Sequence, residues 1–294
     1  MSGGPDSLAL LLLAHEAFPG RFEVAAVDHG LRPESALEAE AVAALSTQRG
    51  IECSILRPAV AAAGNLQANA RAARYAALGE WAAERGLAAI VTAHHADDQA
   101  ETLLMRLSRG AGLRGLAGMR GIARVPGHPA LPLLRPLLGW RKAELEVVVA
   151  QSGLAPACDP ANADPRFERA RVRAALAFTA WLDPVALAAC ATHLGEADAA
   201  LDWAASREWD DFVTADGAAL VYRAQAPRAV RLRVIERIIA TLGHEGTPRG
   251  AEIGRLDDAL SAGRIATLGG VRAEAGAGGW RFAPAPPRGT RGPA

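Results

Sequence analysis

Lysine is almost missing from this chain: Lys142 is the only one in 294 residues. That excludes the P-loop NTPase signature, which places a lysine before its final Ser/Thr to reach nucleotide phosphates. Cysteine is scarce too. Cys53, Cys158 and Cys190 lie far apart with no C-x-x-C pair, which argues against zinc or iron–sulfur ligation. The odd count fits a reducing cytoplasm. No apolar run approaches the roughly 18 residues of a membrane span. The short run Leu8–Ala14 has Asp6 ahead of it and no basic flank, so a signal peptide is disfavoured. Aromatic residues make up only 5%, leaving few rings on which a base could stack.

What remains is ordinary globular material, half hydrophobic and 22% charged, long enough for two domains. The net charge of zero hides an asymmetry. Residues 1–100 carry 7 bases and 12 acids, residues 101–176 carry 12 and 6, and residues 177–294 carry 13 and 14. The middle segment is net +6 and nearly all arginine, the side chain that grips phosphate bidentately and stacks on bases. A local polyanion contact, such as RNA, fits that patch; so does a general preference for arginine across the chain.

The first residues, Ser2-Gly3-Gly4-Pro5-Asp6-Ser7, run directly into the helix-favouring Leu8–Phe18. Glycines admit positive φ and close backbone approach, and a helix N-terminus presents unpaired N–H groups to an anion. The residues therefore describe a phosphate-binding loop, with a plain helix-capping turn as the bland reading.

Strands are expected at Phe22–Val27, Ile51–Leu56, Ala88–Ala93 and, shorter, Leu133–Leu138. They alternate with helices at 33–49, 65–85, 98–108 and 141–153, where Asn65 caps the second and Gly50 and Gly86 close two of them. Alternation of this kind implies an α/β fold with a parallel sheet, in which ligands sit at the strands' carboxyl ends. Asp28 and His29 follow one strand there; His94, His95 and Asp98 follow another. Asp98 also suits a capping box with Glu101, so structural and catalytic roles are both open. Residues 109–121 read as a glycine- and arginine-rich loop. Beyond Pro184 come a helix to Phe212, a hairpin at 214–223 turning on Asp216-Gly217, helices at 229–242 and 251–261, and strands at 266–271 and 279–282. Trp181, Trp203 and Trp209 have helical spacing and are expected in a core. The domain boundary is expected near 178–184, giving domains 1–180 and 181–283 and a disordered tail 284–294.

Six motifs in order carry a resemblance: Ser-Gly-Gly-Pro-Asp-Ser at 2–7, Val-Asp-His-Gly-Leu-Arg at 27–32, Thr-Ala-His-His-Ala-Asp-Asp-Gln-Ala-Glu-Thr at 92–102, the Gly/Arg loop at 109–119, Leu-Arg-Pro-Leu-Leu at 134–138, and Asp159-Pro160-x-Asn162-x-Asp164 with its arginine ladder. The chain resembles the tRNA(Ile)-lysidine synthetases, within the PP-loop (N-type ATP pyrophosphatase) family, tightly over about 1–175 and loosely beyond. The resemblance implies a Rossmann-like PP-loop ATPase domain followed by a smaller, mostly helical tRNA-binding domain. It implies an enzyme that adenylates the wobble cytidine of a CAU-anticodon tRNA(Ile) with ATP, releases pyrophosphate, and joins free L-lysine to the base with loss of AMP. It implies a cytoplasmic ligase without a membrane anchor, with a homodimer as a candidate assembly.

Carried onto this sequence, Ser2, Gly3, Gly4, Pro5, Asp6 and Ser7 would cradle ATP, and Asp28 and Asp98 would hold Mg2+. Asp28, His29, His95 and Asp98 would be catalytic, with the choice among His29, His94 and His95 open. Arg71, Arg74, Arg109, Arg114, Arg135, Asn162, Arg169, Arg171 and Arg173 would meet lysine or tRNA. With Lys142 nowhere near the loop in sequence, the attacking amine is expected from a substrate. Other PP-loop enzymes are competing readings: a tRNA thiolase, a GMP or NAD synthetase, or an inactive homologue. Family members carry a hydrophobic strand before the loop, whereas this chain starts on it. An N-terminally extended form is therefore expected to be better folded and more active.

Overall fold

The computed structural model describes residues 1–30, 34–61, 63–157, 164–243, 246 and 248–286. Its elements run α1 (Pro5–Ala17), β1 (Val24–Val27), α2 (Glu34–Gln48), β2 (Cys53–Leu56), α3 (Leu66–Glu84), β3 (Ile90–Val91), α4 (Ala96–Leu107), α5 (Leu113–Leu116), β4 (Ile122–Val125), β5 (His128–Leu134), α6 (Lys142–Gln151) and α7 (Glu168–Phe178). There follow α8 (Pro184–Phe212), β6 (Val213–Asp216), β7 (Ala219–Tyr222), α9 (Arg228–Leu242), α10 (Gly250–Ser261), β8 (Ala266–Leu268), β9 (Val271–Gly276) and β10 (Gly279–Pro284).

Local chemistry explains the boundaries. Asn65 accepts hydrogen bonds from the Gln67 and Ala68 amides, at 3.1 and 3.2 Å, satisfying two donors that the first turn of α3 leaves unpaired. Gly50 and Gly86 take positive φ after α2 and α3, a conformation that costs glycine little. Pro33, expected to open α2, lies outside the described residues.

The first compact unit is Met1–Gly195. β1 and β2 pair in parallel, and β3 pairs in parallel with β5. β5 also pairs antiparallel with β4. This hairpin corrects the expected single strand at Leu133–Leu138: the chain turns at Gly127 (φ 82°) and returns as β5, which ends at Leu134. The two sheets share a core in which Ala25 of β1 packs with Ile90, Leu133 and the α3 residues Tyr75, Leu78 and Trp81. A second cluster joins α1, α2 and β1 through Leu11, Val24, Ala39 and Val42, and a third joins α1 to α6 through Leu8, Leu145 and Val149. Met1 packs against both of these, and its amine donates to the Ala25 carbonyl.

The second unit is Glu196–Ala294. The divide falls inside α8, between Gly195 and Glu196, downstream of the boundary expected near 178–184, where the chain leaves α7 and enters α8. The unit is less helical than expected. A five-stranded antiparallel sheet, ordered β6-β7-β10-β9-β8, packs Tyr222, Val271 and Phe282 against Val234, Ile235, Ile238 and Leu256 of α9 and α10. Gly269 and Gly270 break the expected strand 266–271 into β8 and β9. Two tryptophans expected in a core are on the surface: Trp181 is 81% exposed and Trp203 66%, whereas Trp209 packs against the core. β10 reaches Pro284, and residues 287–294 of the expected tail lie outside the described residues.

Candidate functional site

The loop at residues 2–7 has the backbone of an anion cradle. Gly3 takes φ 75°, and its carbonyl accepts from the Ala157 amide at 2.9 Å. Gly4 is the N-cap of α1, with no side-chain cap, and Pro5 fills the first helical position. Gly4 has no side chain to cap the N–H groups of the first turn, which carry the positive end of the helix dipole. The Ser7 hydroxyl donates to the Gly4 carbonyl at 3.0 Å, and Ser2 Oγ lies 3.4 Å from Ser7 Oγ.

His95 ties this loop to α4. Its ring is nearly enclosed, with Nε2 at 3.5 Å from Asp6 Oδ2 and 3.5 Å from Asp98 Oδ2, and Nδ1 at 3.7 Å from Asp97 Oδ2. Burial alone would lower its pKa, but the Asp6 and Asp97 contacts and the Asp98 charge outweigh it and push the value up to about 9. The ring is thus an imidazolium at neutral pH. The Asp98 amide, 3.4 Å from Nδ1, can be capped only by the neutral ring, so in the protonated form Nδ1–H turns to Asp97. His95, not Asp98, is the N-cap: Asp98 stands at N3 and its carboxylate accepts from the His95 amide at 3.2 Å. This corrects the expected Asp98–Glu101 capping box. Asp97, burial notwithstanding, is held well below the usual carboxylate range by His95, the Lys142 amide at 2.8 Å and Arg141.

His94 has the opposite environment. Burial and the charges of Arg135, Arg71 and Arg74, only partly offset by Asp98, bring it down to about 4. Thr92 Oγ1 sits 2.9 Å from its Nδ1. Two adjacent histidines therefore divide into one cation and one neutral ring. Around His94 the cations are under-compensated. Arg74 Nε and Arg135 Nε are enclosed with no hydrogen-bond partner among the described residues, as is His29 Nδ1. Burial lowers the Arg74 pKa, with Tyr75 opposing and Arg71 adding. Burial likewise lowers that of His29, with Arg74 adding and Asp28 opposing. Arg71 itself is exposed, its guanidinium 5.0 Å from the Tyr75 ring centroid. Enclosed guanidinium nitrogens without a partner among the described residues suit the approach of an anion.

A family model described as a PP-loop domain matches residues 1–179. The chain is 54% identical to the tRNA(Ile)-lysidine synthase of Novosphingobium aromaticivorans, over 97% of this chain and 88% of that one. The chain belongs to the tRNA(Ile)-lysidine synthase family. Further members are those of Zymomonas mobilis (38% identical, 98% of this chain and 88% of that one) and Methylobacterium nodulans (42%, 98% and 90%). Among solved structures, the U34-tRNA thiolase NcsA of Methanococcus maripaludis superposes with a TM-score of 0.54 at 19% identity, covering 67% of this chain and 71% of that one. That likeness concerns the PP-loop fold. PP-loop ATP pyrophosphatases use ATP, which suits the uncapped α1 N-terminus.

In this lysidine synthase family member, several arginines expected at RNA are engaged by groups of the protein itself. Glu101, buried in α4, takes Arg173 at 2.6 Å and Arg169 at 3.2 Å, docking α7 on α4. Arg169 also reaches Thr102. Arg171 donates to the carbonyls of Pro165 and Arg166, and Arg109 pairs with Glu168. Arg135 is buried and donates to the Arg120 carbonyl. Arg114 lies exposed on α5, and Asn162 is outside the described residues.

The metal pair expected at Asp28 and Asp98 is not what the geometry favours. Asp28 accepts from Ser35 Oγ at 2.6 Å and the Gly30 amide at 2.9 Å, and lies 3.5 Å from Arg57. These contacts hold its pKa low and occupy its oxygens. The carboxylates that converge are Asp6 and Asp98, both on His95 Nε2, and Asp6 Oδ1 is enclosed without a partner among the described residues. No set of three metal-ligating side chains gathers among the described residues. One or two carboxylate oxygens beside a phosphate loop nonetheless fit Mg2+, which takes few protein ligands and completes its shell with phosphate and water. Sequence reasoning missed Asp97, Gln99 and Arg106. The acidic Asp97-Asp98 pair in the first turn after His95 was the available signal for Asp97; burial of Gln99 and Arg106 left none.

Proposed function

We propose that this protein joins free L-lysine to the wobble cytidine of a CAU-anticodon tRNA(Ile), using ATP and releasing AMP and pyrophosphate. Family membership supports the reaction. The observation that carries the site assignment is the junction at His95, where the phosphate loop and α4 meet through Asp6 and Asp98.

In this reading Ser2, Gly3, Gly4, Pro5, Asp6 and Ser7 cradle the phosphates, with the α1 amides facing the pyrophosphate end. Asp6 and Asp98 would hold Mg2+, which supplies charge neutralisation for the leaving pyrophosphate. The imidazolium of His95 keeps both carboxylates oriented. The base oxygen attacks the α-phosphorus, and the P–O bond to pyrophosphate breaks. A lysine amine, once it has shed its extra proton, then attacks the base carbon that bears the adenylated oxygen; the C–O bond breaks, AMP leaves, and the nitrogen's surplus proton passes to solvent. Neutral His94 accepts a hydrogen bond from the incoming ammonium, while Arg71, Arg74 and Arg135 hold the anionic groups around it. His29 lines the same pocket beside Asp28. Arg114 contacts tRNA phosphate; Arg109, Arg169, Arg171 and Arg173 shape that surface through their internal bonds, and Asn162 precedes it in the chain. The second unit carries further tRNA contacts. No helix among the described residues is long and apolar enough to cross a membrane, in keeping with work in the cytoplasm; a homodimer is the assembly to look for by light scattering.

The test is incubation with ATP, Mg2+, radiolabelled lysine and CAU-anticodon tRNA. Label entering the RNA, with stoichiometric AMP and pyrophosphate, is the expected result. ATP turnover that ignores lysine, or no turnover, overturns the reading.

A further inference from the structure

Gln99 stands one residue after Asp98, is 2% exposed, and plays no part in the reaction as described. Its side-chain amide is nevertheless fully used. Nε2 donates to the Met119 carbonyl at 2.8 Å, and Oε1 accepts from the Met119 amide at 2.7 Å. The two bonds copy a strand pair onto one residue of the segment 109–121. Gly118 makes the approach feasible. It takes φ 64°, and a Cβ there would fall 2.5 Å from Gln99 Oε1. Arg106, seven residues on and so on the same face of α4, donates to the Gly115 carbonyl at 2.6 Å and to that of Gly118 at 3.4 Å. Arg135 donates to the Arg120 carbonyl at 2.7 Å. The main chain is thus pinned at 115, 118, 119 and 120, by two side chains of α4 and by Arg135.

The pinned segment contains Arg109, Arg114 and Arg120 and no acid. A buried reciprocal amide clamp on a glycine-rich loop of uniform positive charge is more than the loop needs merely to close. We propose that Gln99 is a positioning residue that presents residues 109–121 as an RNA-backbone-binding arm. Because Gln99 lies in the first turn of α4, its backbone N–H in the ordinary helical bond to the His95 carbonyl at 3.1 Å, its side chain ties that arm to the same turn that carries His95 and Asp98. The proposal rests on the tRNA reading above. RNA docking on the arm is thereby coupled to the catalytic turn through Gln99, with Arg106 and Arg135 as further pins.

The test compares wild type, Gln99→Glu and Arg106→Gln. In Gln99→Glu the carboxylate still accepts from the Met119 amide but sets an oxygen against the Met119 carbonyl. Binding of CAU-anticodon tRNA, read by fluorescence anisotropy without lysine, is expected to weaken about tenfold, the size of losing one or two hydrogen bonds. ATP affinity should stay within about twofold, and log Kd should rise less steeply with log salt because phosphate contacts are lost. Arg106→Gln removes the second pin and should show the same split if Gln99→Glu does not fold. Unchanged tRNA affinity and salt slope in a folded variant overturns the proposal, as does an equal loss of ATP and tRNA binding. A wild-type protein that binds tRNA but transfers no lysine defeats the functional reading and leaves the clamp standing.

Discussion

His95 Nε2 lies 3.5 Å from Asp6 Oδ2, so the phosphate loop at the head of the first helix is anchored to a ring at the N-terminus of a helix about ninety residues later. The contact has a pH signature. The His95 pKa rises from 6.5 to about 9 on folding, so its contribution to stability is complete below pH 6.5 and is lost as pH climbs through 9. Thermal melts from pH 6 to 10 should show wild type ahead of His95→Gln at the acid end, by on the order of 3 kcal/mol at most. The gap should close by pH 10. A constant gap would place the ring's stabilisation outside its charge.

Arg74 has a buried Nε without a partner among the described residues, and an unpaired buried cation destabilises the fold that holds it. Arg74→Met should therefore leave Tm unchanged or raise it, while lysine transfer falls by about a hundredfold or more. A variant that melts earlier and keeps its activity would show Arg74 to be structural.

Glu101 binds α7 to α4 through two arginines, and the partners differ in exposure: 2% for the Glu101 side chain, 46% for Arg169 and 35% for Arg173. Stripped of Glu101, the arginines can turn to water; stripped of the arginines, Glu101 cannot. Urea titration should therefore rank the variants. Glu101→Ala costs about 1–2 kcal/mol, and the double change Arg169→Ala with Arg173→Ala about 3 kcal/mol or more. The reverse ranking would contradict the burial of Glu101.

Gly3 has room for a methyl group, since a Cβ would meet Val42 at 3.4 Å and Ala157 at 3.5 Å. Its φ of 75° is the obstacle. Gly3→Ala is expected to cost about 1–2 kcal/mol of backbone strain and to weaken ATP binding measured by calorimetry. Unaltered ATP affinity would remove the loop's left-handed turn from phosphate binding.

The loop, the alternation of strand and helix, the Asn65 cap and the Asp216-Gly217 hairpin could be read directly, because each depends on neighbours within a few residues. The β4–β5 hairpin could not. Its Pro126-Gly127 turn is a strong signal, but Pro129 and Pro132 in the return strand argue against a strand there, so the stretch ahead of Leu133 reads as loop. The arginine ladder looked free because spacing alone cannot reveal that Glu101, some seventy residues earlier in the chain, faces it. Trp181 and Trp203 were misplaced for a similar reason: helical spacing says that residues share a face and not which face is covered.

Sequence by itself determined the family, the phosphate loop and the order of the site's motifs, all of them matters of residue type and short spacing. Tertiary structure decided the charge states and partners. It made one histidine of an adjacent pair a cation and its neighbour neutral, gave Asp28 to Ser35 and Arg57, and brought Asp6 to Asp98. Those outcomes depend on burial and on charges brought together across the fold, quantities that exist only once distant segments have packed.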